Sequence, residues 1–420
     1  MAMTITEKIL ARASGRDRVH VGEVVEAHLD LVMATDVTMP LSFNVLESMG
    51  ATEVFNPGKI VAIRDHFTPA PSVSSAGQGK YMREKCKEYS IKNYYDLGVG
   101  GVCHVIVPDM GLVAPGEVVV GADSHTTTYG AVGAFSTGLG STDVAVAMAI
   151  GKLWFKIPPT LKVVLSGKLP KWVTGKDLIL AILGQIGTDG ARYKALEIGG
   201  EVVKHLEMSD RFTMCNMGIE GGAKNAIFEP DDKTIAYLDK VCSRPYTIFR
   251  SDEDAVYERV LEIDCTNMDL QVALPHSPGN VSPLSKVKGT RIDQVYIGSC
   301  TNGRLNDLRQ AAQLLKGKKA HDDVRLIITP GSQEVYLQAL REGLIEDFVQ
   351  AGAVVNPPSC GACFGGHLGV LAEGETCLST TNRNFKGRMG SSESFVYLSS
   401  PIVAAASAIK GEITYPEEVL

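Results

Sequence analysis

Three cysteines in this sequence lie where short apolar runs give way to glycine. Gln294–Ile297 is followed by Gly298-Ser-Cys-Thr-Asn-Gly303, and Ala353–Val355 by Asn356-Pro-Pro-Ser-Cys-Gly-Ala-Cys-Phe-Gly-Gly366. Such runs read as strands feeding tight turns, and ligands in open α/β sheets sit beyond the carboxyl ends of strands. Cys300, Cys360 and Cys363 are therefore offered to one crevice. Gly361, Ala362, Gly365 and Gly366 leave room for the backbone to approach a bulky inorganic group and to aim amides at anionic sulfur. A Cys-x-x-Cys pair alone is equally a redox couple or part of a structural zinc site. With a third thiolate the donor set suits zinc or an iron–sulfur cluster. Three protein thiolates on a four-iron cluster leave one iron open, which is what Lewis-acid chemistry on a hydroxyl or carboxylate needs.

Acid–histidine pairs recur in equivalent places. Lys59–Ile63 runs into Arg64-Asp65-His66, Val118–Val120 runs into Gly121-Ala-Asp-Ser-His125, and Gly100-Gly-Val-Cys-His104 adjoins a third apolar run; all three read as strand-end positions. A carboxylate beside an imidazole fixes its tautomer and raises its proton affinity, which suits a general acid near neutral pH. Removal of water needs such a donor, because hydroxide leaves poorly. His20, His28, His205, His276, His321 and His367 read as structural, as do Cys86, Cys215, Cys242, Cys265 and Cys377. Thr380-Thr-Asn-Arg-Asn-Phe-Lys-Gly-Arg388 gathers cations and asparagines in one turn, and the planar forks of Arg383 and Arg388 are natural carboxylate anchors. In Thr213-Met-Cys-Asn-Met-Gly-Ile-Glu-Gly-Gly222, Asn216 and Glu220 gain meaning only beside the histidines.

The elements that must hold these groups read as an α/β fold. Strands are expected at Lys59–Ile63, Val118–Val120, Leu161–Ser166, Gln294–Ile297, Val324–Ile328 and Ala353–Val355. Helices are expected at Ile5–Arg12, Gln78–Glu88, Ser141–Gly151, Gly175–Gly187, Asn306–Leu315, Gln333–Glu342 and Pro401–Ile409. Breaks at Lys156-Ile-Pro-Pro-Thr160 and at the proline-rich stretch Leu274 to Leu284 divide the 420 residues into three expected α/β domains, 1–158, 159–276 and 277–420. A formal charge of −7, from 41 Lys+Arg against 48 Asp+Glu, argues against a general nucleic-acid or anionic-membrane binder. Neither a secretion signal nor an apolar run of membrane-spanning length stands in the sequence, so a cytoplasmic location is expected. Nine cysteines, an odd number without a secretion signal, favour reduced thiols or metal ligation over disulfides.

Taken together, Gly298-Ser-Cys-Thr-Asn302, Cys360-Gly-Ala-Cys363, Asp123-Ser-His125, Asp65-His66, Asn216-Met-Gly-Ile-Glu220 and Asn382-Arg-Asn-Phe-Lys-Gly-Arg388 resemble, in order, the aconitase superfamily. Within it the chain is most similar to the large subunits of the isopropylmalate and homoaconitate dehydratases, and Gly121 to Gly130 looks like their shorter, archaeal-type branch. The resemblance implies three α/β domains packed around a [4Fe–4S] cluster on Cys300, Cys360 and Cys363. It implies that His66 with Asp65 protonates the leaving hydroxyl, and that the pairs Asp123–His104 and Glu220–His125 orient substrate and water. Arg383 and Arg388 would bind substrate carboxylate, with Asn216 and Asn382 assisting. Single-chain aconitases continue into a fourth, swivelling domain whose serine is the base, whereas this sequence stops at Leu420. The expectation is a separate small subunit that carries the swivel domain and base, in a heterodimer or heterotetramer. The expected substrate is a small hydroxy di- or tricarboxylate: 3-isopropylmalate first, as in leucine biosynthesis, with homoaconitate and dimethylmalate as alternatives. Cluster-regulated RNA binding, known in some single-chain relatives, is a different class that the missing domain and the negative charge oppose.

Overall fold

The computed structural model describes residues 2–420. Three sheets organise the chain. The first is five parallel strands in the order Asn93–Tyr95, Ile60–Ile63, Leu31–Thr35, Val118–Gly121 and Phe135–Gly138. Its three inner strands are buried along their whole length, as parallel strands covered on both faces must be. Because side chains alternate across a strand, neighbouring residues enter different cores. Val32, Ile60, Val118 and Val120 pack among the outer helices, while Met33, Val61, Ile63 and Val119 join the core that runs on into the rest of the chain.

The second sheet has four parallel strands in the order Asn225–Phe228, Ala195–Gly199, Thr160–Ser166 and Arg259–Asp264. The third is mixed: Val281–Pro283, Gln271–Ala273 and Phe395–Leu398 pair antiparallel, and Phe395–Leu398, Thr376–Ser379, Gln294–Gly298, Arg325–Thr329 and Val354–Val355 then run parallel. Strand Gln271–Ala273, just before the proline-rich break, hydrogen-bonds into this third sheet and not the second. A two-stranded antiparallel ribbon, Val24–His28 with Lys152–Lys156, flanks the first sheet.

Local chemistry explains the helices that frame these sheets. Thr4 and Glu7 form a reciprocal cap on helix Ile5–Ala13, Thr174 and Asp177 do the same for Gly175–Ile186, and glycines in left-handed conformation close Ser141–Ile150 and Pro401–Lys410. Each strand and helix expected from the sequence is present within a few residues of its expected bounds. One placement needs correcting. His104 does not follow a strand; it lies in the first turn of a helix, Cys103–Asp109. The β-branched run Val105-Ile-Val107 that suggested a strand is buried in that helix, where packing outweighs β propensity. Among the described residues, no helix is long and apolar enough to cross a membrane.

Candidate active site

The carboxyl ends of the first and third sheets bring their loops to one cavity. His66, Cys103, His104, Asp123, His125, Cys300, Cys360, Cys363, Phe364, Asn382 and Arg388 line it. Asp36, Asp65–His66 and Asp123–His125 follow adjacent strands of the first sheet, whereas Cys300, Asn382 and the Cys360–Cys363 turn follow strands of the third. Cys300 sits in a one-turn helix, Ser299–Asn302, entered through Gly298 at φ +153°. A Cβ on Gly298 would lie 2.4 Å from the carbonyl oxygen of Thr329, so only glycine lets this strand turn so tightly against its neighbour. Cys360 and Cys363 belong to a 3-10 turn in which Cys363 N–H donates to Cys360 O at 2.9 Å.

Each histidine has a carboxylate partner. Asp65 Oδ1 lies 2.7 Å from His66 Nδ1, while Asp65 Oδ2 accepts the backbone N–H of Cys103 at 2.8 Å. Asp36 accepts the backbone N–H groups of Asp65, His66 and Phe67 and so fixes the turn from below. Burial opposes a charged His66, yet Asp65, with help from Asp36 and Asp123, outweighs it and lifts the imidazole from 6.5 to about 9. His104 Nε2 meets Asp123 Oδ1 at 2.8 Å, and its Nδ1 meets the Tyr129 hydroxyl at 3.0 Å. His125 Nε2 meets Glu220 Oε1 at 2.8 Å, and Asp123 Oδ1 also accepts the His125 N–H at 2.8 Å. Burial works against the Asp123 carboxylate, but the two histidines hold it well below the usual range. The expected pairings Asp65–His66, Asp123–His104 and Glu220–His125 are thus the ones that form.

The two arginines expected to be anchors are placed differently. Arg388 lines the cavity, and its buried Nε has no hydrogen-bond partner. Arg383 lies further out, with its Nε donating to both oxygens of Glu220 at 2.8 and 3.0 Å. The asparagines face the sulfur: Asn216 Nδ2 lies 3.3 Å and Asn382 Nδ2 3.2 Å from Cys300 Sγ. Asn382 Nδ2 also donates to Asn216 Oδ1 at 3.1 Å, which links the two carboxamides.

This donor set fits an iron–sulfur cluster. The thiols are free, and two buried amides already point at one of them, as a thiolate acceptor requires. Burial pushes Cys300 up to about 12 and Cys360 well above the ordinary thiol value, so ionising them together calls for a cationic centre. The unpartnered Arg388 Nε adds a donor for an anion at the same wall.

Several participants escaped sequence reading. Asp36 had no acid–histidine dipeptide to mark it, although it stands at the end of an apolar run, Leu31–Thr35. Cys103 also lines the cavity. His367, expected to be structural, stands close at hand, with its Nε2 2.8 Å from the His66 carbonyl oxygen. Tyr129, on His104, and Lys176, whose ammonium donates to the Thr380 carbonyl oxygen, carried no local signal.

Residues 7–411 match the model of the aconitase family (aconitate hydratase). The chain is 54% identical over 421 residues to a 3-isopropylmalate dehydratase large subunit of Desulfitobacterium hafniense, with 100% of each chain covered. It is 53% identical over 419 residues to the protein of the same name from Thermodesulfovibrio yellowstonii, again with 100% of both covered. Among solved structures, the holo-form of Thermococcus kodakaraensis aconitase X shares the fold at a TM-score of 0.50 with 13% identity, over 91% of this chain and 94% of that one. The α/β architecture, the ordered motifs and these matches place the chain in the aconitase family.

Proposed function

We infer that this chain is the large subunit of a 3-isopropylmalate dehydratase, a hydro-lyase of leucine biosynthesis that interconverts 2- and 3-isopropylmalate through loss and return of water. The observation that carries the reading is the convergence of three thiols, two buried and one half-buried, and three carboxylate-paired imidazoles on one cavity. Full-length identity above 50% to proteins bearing that name supports the choice of substrate. We assign Cys300, Cys360 and Cys363 to a [4Fe–4S] cluster, which when bound supplies a Lewis acid for the substrate hydroxyl and a neighbouring carboxylate.

The chain's own residues do the rest. His66 Nδ1–H donates to Asp65, whose charge keeps the ring protonated, so His66 delivers its remaining proton from Nε2 to the departing oxygen. Asp123 binds His104 and the His125 backbone at one oxygen, which sets the spacing of the two rings that orient substrate and water. Glu220 is shared between His125 and Arg383, so the arginine is aimed with its terminal nitrogens free for a carboxylate. Arg388 offers a second carboxylate contact from inside the cavity. Asn216 and Asn382 steady Cys300 and border the substrate. No side chain of the cavity is assigned as the base that removes the carbon-bound proton. The relatives are named large subunits, and we assign that base to a small-subunit partner carrying the swivel domain.

The test is anaerobic reconstitution. The chain mixed with a candidate isopropylmalate dehydratase small subunit, iron and sulfide should be brown and should interconvert the isopropylmalates, while each chain alone should not. Equal or faster turnover of homoaconitate or dimethylmalate would overturn the substrate. A colourless, iron-free preparation with full activity would overturn the cluster.

A further inference from the structure

Behind the three cysteines lies a positive charge that the reaction does not use. Lys176 stands in the first turn of helix Gly175–Ile186 and is fully buried. Its ammonium donates to the carbonyl oxygens of Thr380 at 2.8 Å and Thr381 at 2.6 Å, and to Asn302 Oδ1 at 3.2 Å. Asn302 ends the one-turn helix that carries Cys300, and Thr380 and Thr381 lead directly into Asn382, whose amide reaches Cys300 Sγ. One ammonium from the second region of the chain thus ties together the two turns that frame Cys300.

Fold stability does not account for this choice. All three acceptors are neutral, and an ammonium withdrawn from water without an anion at hydrogen-bond distance is costly. A lysine in a first helical turn also opposes the helix dipole. Burial accordingly pushes Lys176 down from its ordinary value to about 7, against the opposing pull of Asp307, Cys363 and Cys300. Asp307 is a poor counter-ion, since burial pushes it up to about 7 and its oxygens already accept from Asn302 Nδ2 and the Arg304 N–H. Asp177 is likewise pushed up by burial, to about 6, and its oxygens accept from the Gln271 N–H and from Thr174, which leaves the sulfurs of Cys363 and Cys300 as the other groups that favour the charged lysine.

We propose that Lys176 is a positioning residue for the cysteine site, whose buried ammonium holds the Cys300 and Asn382 turns in register and balances the negative charge of a cluster bound there. The proposal rests on the assignment of Cys300, Cys360 and Cys363 as cluster ligands. Lys176→Gln keeps hydrogen-bond donors but removes the charge, and Lys176→Met removes both. Each full-length variant would be loaded anaerobically with ferrous iron and sulfide beside the unaltered chain. Iron and sulfide per chain, the half-life of the visible absorbance in air, the reduction potential, and thermal unfolding of the cluster-free chain would then be measured.

Lys176→Gln should load, lose its cluster faster by about tenfold, and show a more negative potential, because a nearby cation favours the more anionic reduced state. Cluster-free Lys176→Gln should unfold no earlier than the unaltered chain. Lys176→Met should lose the cluster faster still. An unchanged lifetime and potential in Lys176→Gln would overturn the proposal. Failure of both variants to fold without the cluster would also overturn it, by assigning Lys176 to the fold itself. If the unaltered chain takes up no iron, the ligand assignment fails instead, which is a separate outcome.

Discussion

Replacing Asp65 by asparagine isolates the charge that keeps the His66 imidazole protonated in the proposed general-acid role. His66 Nδ1 lies 2.7 Å from Asp65 Oδ1, and the imidazole is lifted from 6.5 to about 9 although burial alone pulls it down. That net rise of 2.5 (9 − 6.5) corresponds to about 3.4 kcal/mol at about 1.4 kcal/mol per unit, and Asp65 is the largest of the charges that produce it. In Asp65→Asn the carbonyl oxygen is claimed by the Cys103 N–H, now 2.8 Å from Asp65 Oδ2, so the amide NH2 turns toward Nδ1 and favours the neutral ring. His66 should then titrate at or below about 6.5. At pH 7.5 the protonated fraction falls from about 97% to about 9%, a tenfold loss of the acid form before any geometric penalty. NMR titration of the His66 imidazole in the cluster-free chain reads the shift directly.

Linkage gives a second readout with a definite sign. A group whose folded value is raised stabilises the fold fully below its unfolded value and loses that contribution as pH rises through the folded one. The cluster-free chain should therefore lose about 3 kcal/mol of stability between pH 6.5 and 9 from this group, and Asp65→Asn should not. A variant whose His66 still titrates near 9, or whose stability profile superimposes on the unaltered chain, would refute the pairing as the source of the acid.

Two further changes test the site and the scaffold. Serine at Cys300, Cys360 or Cys363 should leave a folded chain that binds little iron, whereas serine at Cys86 or Cys377, which sit in the hydrophobic cores, should leave iron content unchanged; full loading of a Cys300→Ser chain would break up the trio. In Gly130→Ala the added Cβ would lie 1.7 Å from the Ala226 carbonyl oxygen, where the 3-10 segment Ser124–Val132 that follows strand Val118–Gly121 meets strand Asn225–Phe228, and the cost should reach about 3 kcal/mol or more, read as a lowered denaturation midpoint.

How much of this was legible in the sequence depends on how local each signal is. Strands Ile60–Ile63, Val118–Gly121 and Gln294–Gly298 could be read because a β-branched run meets a turn within a few residues, and the acids, histidines and cysteines after them share that turn. Leu31–Thr35, the middle strand of the first sheet, carries no such turn chemistry, and its aspartate was passed over with it. His104 misled in the opposite way, since Val105-Ile-Val107 has strand composition but is held helical by burial. The motifs named the partners, yet nothing in their spacing says that Glu220 bonds His125 across 95 positions or that Arg383 joins the same carboxylate across 163.

Those long separations are also why the site is divided among the three sheets. The general acid we propose needs a carboxylate on one ring nitrogen and leaves the other for substrate, and Asp65–His66 provides the first of these within one turn. Orientation needs rings that cannot rotate, so His104 and His125 are locked by groups from distant elements: Tyr129 on one side and Glu220, itself held by Arg383, on the other. The third sheet brings the thiols, and the second region brings the amide of Asn216 that points at Cys300, the Glu220 carboxylate that holds His125 and Arg383, and the Lys176 ammonium that ties the Asn302 and Thr380–Thr381 turns. Any shift between regions would separate Cys300 from Asn216 and Glu220 from His125 at once. Cluster retention and proton transfer should therefore fail together when the packing between regions is disturbed, and separately when a side chain of one turn is changed.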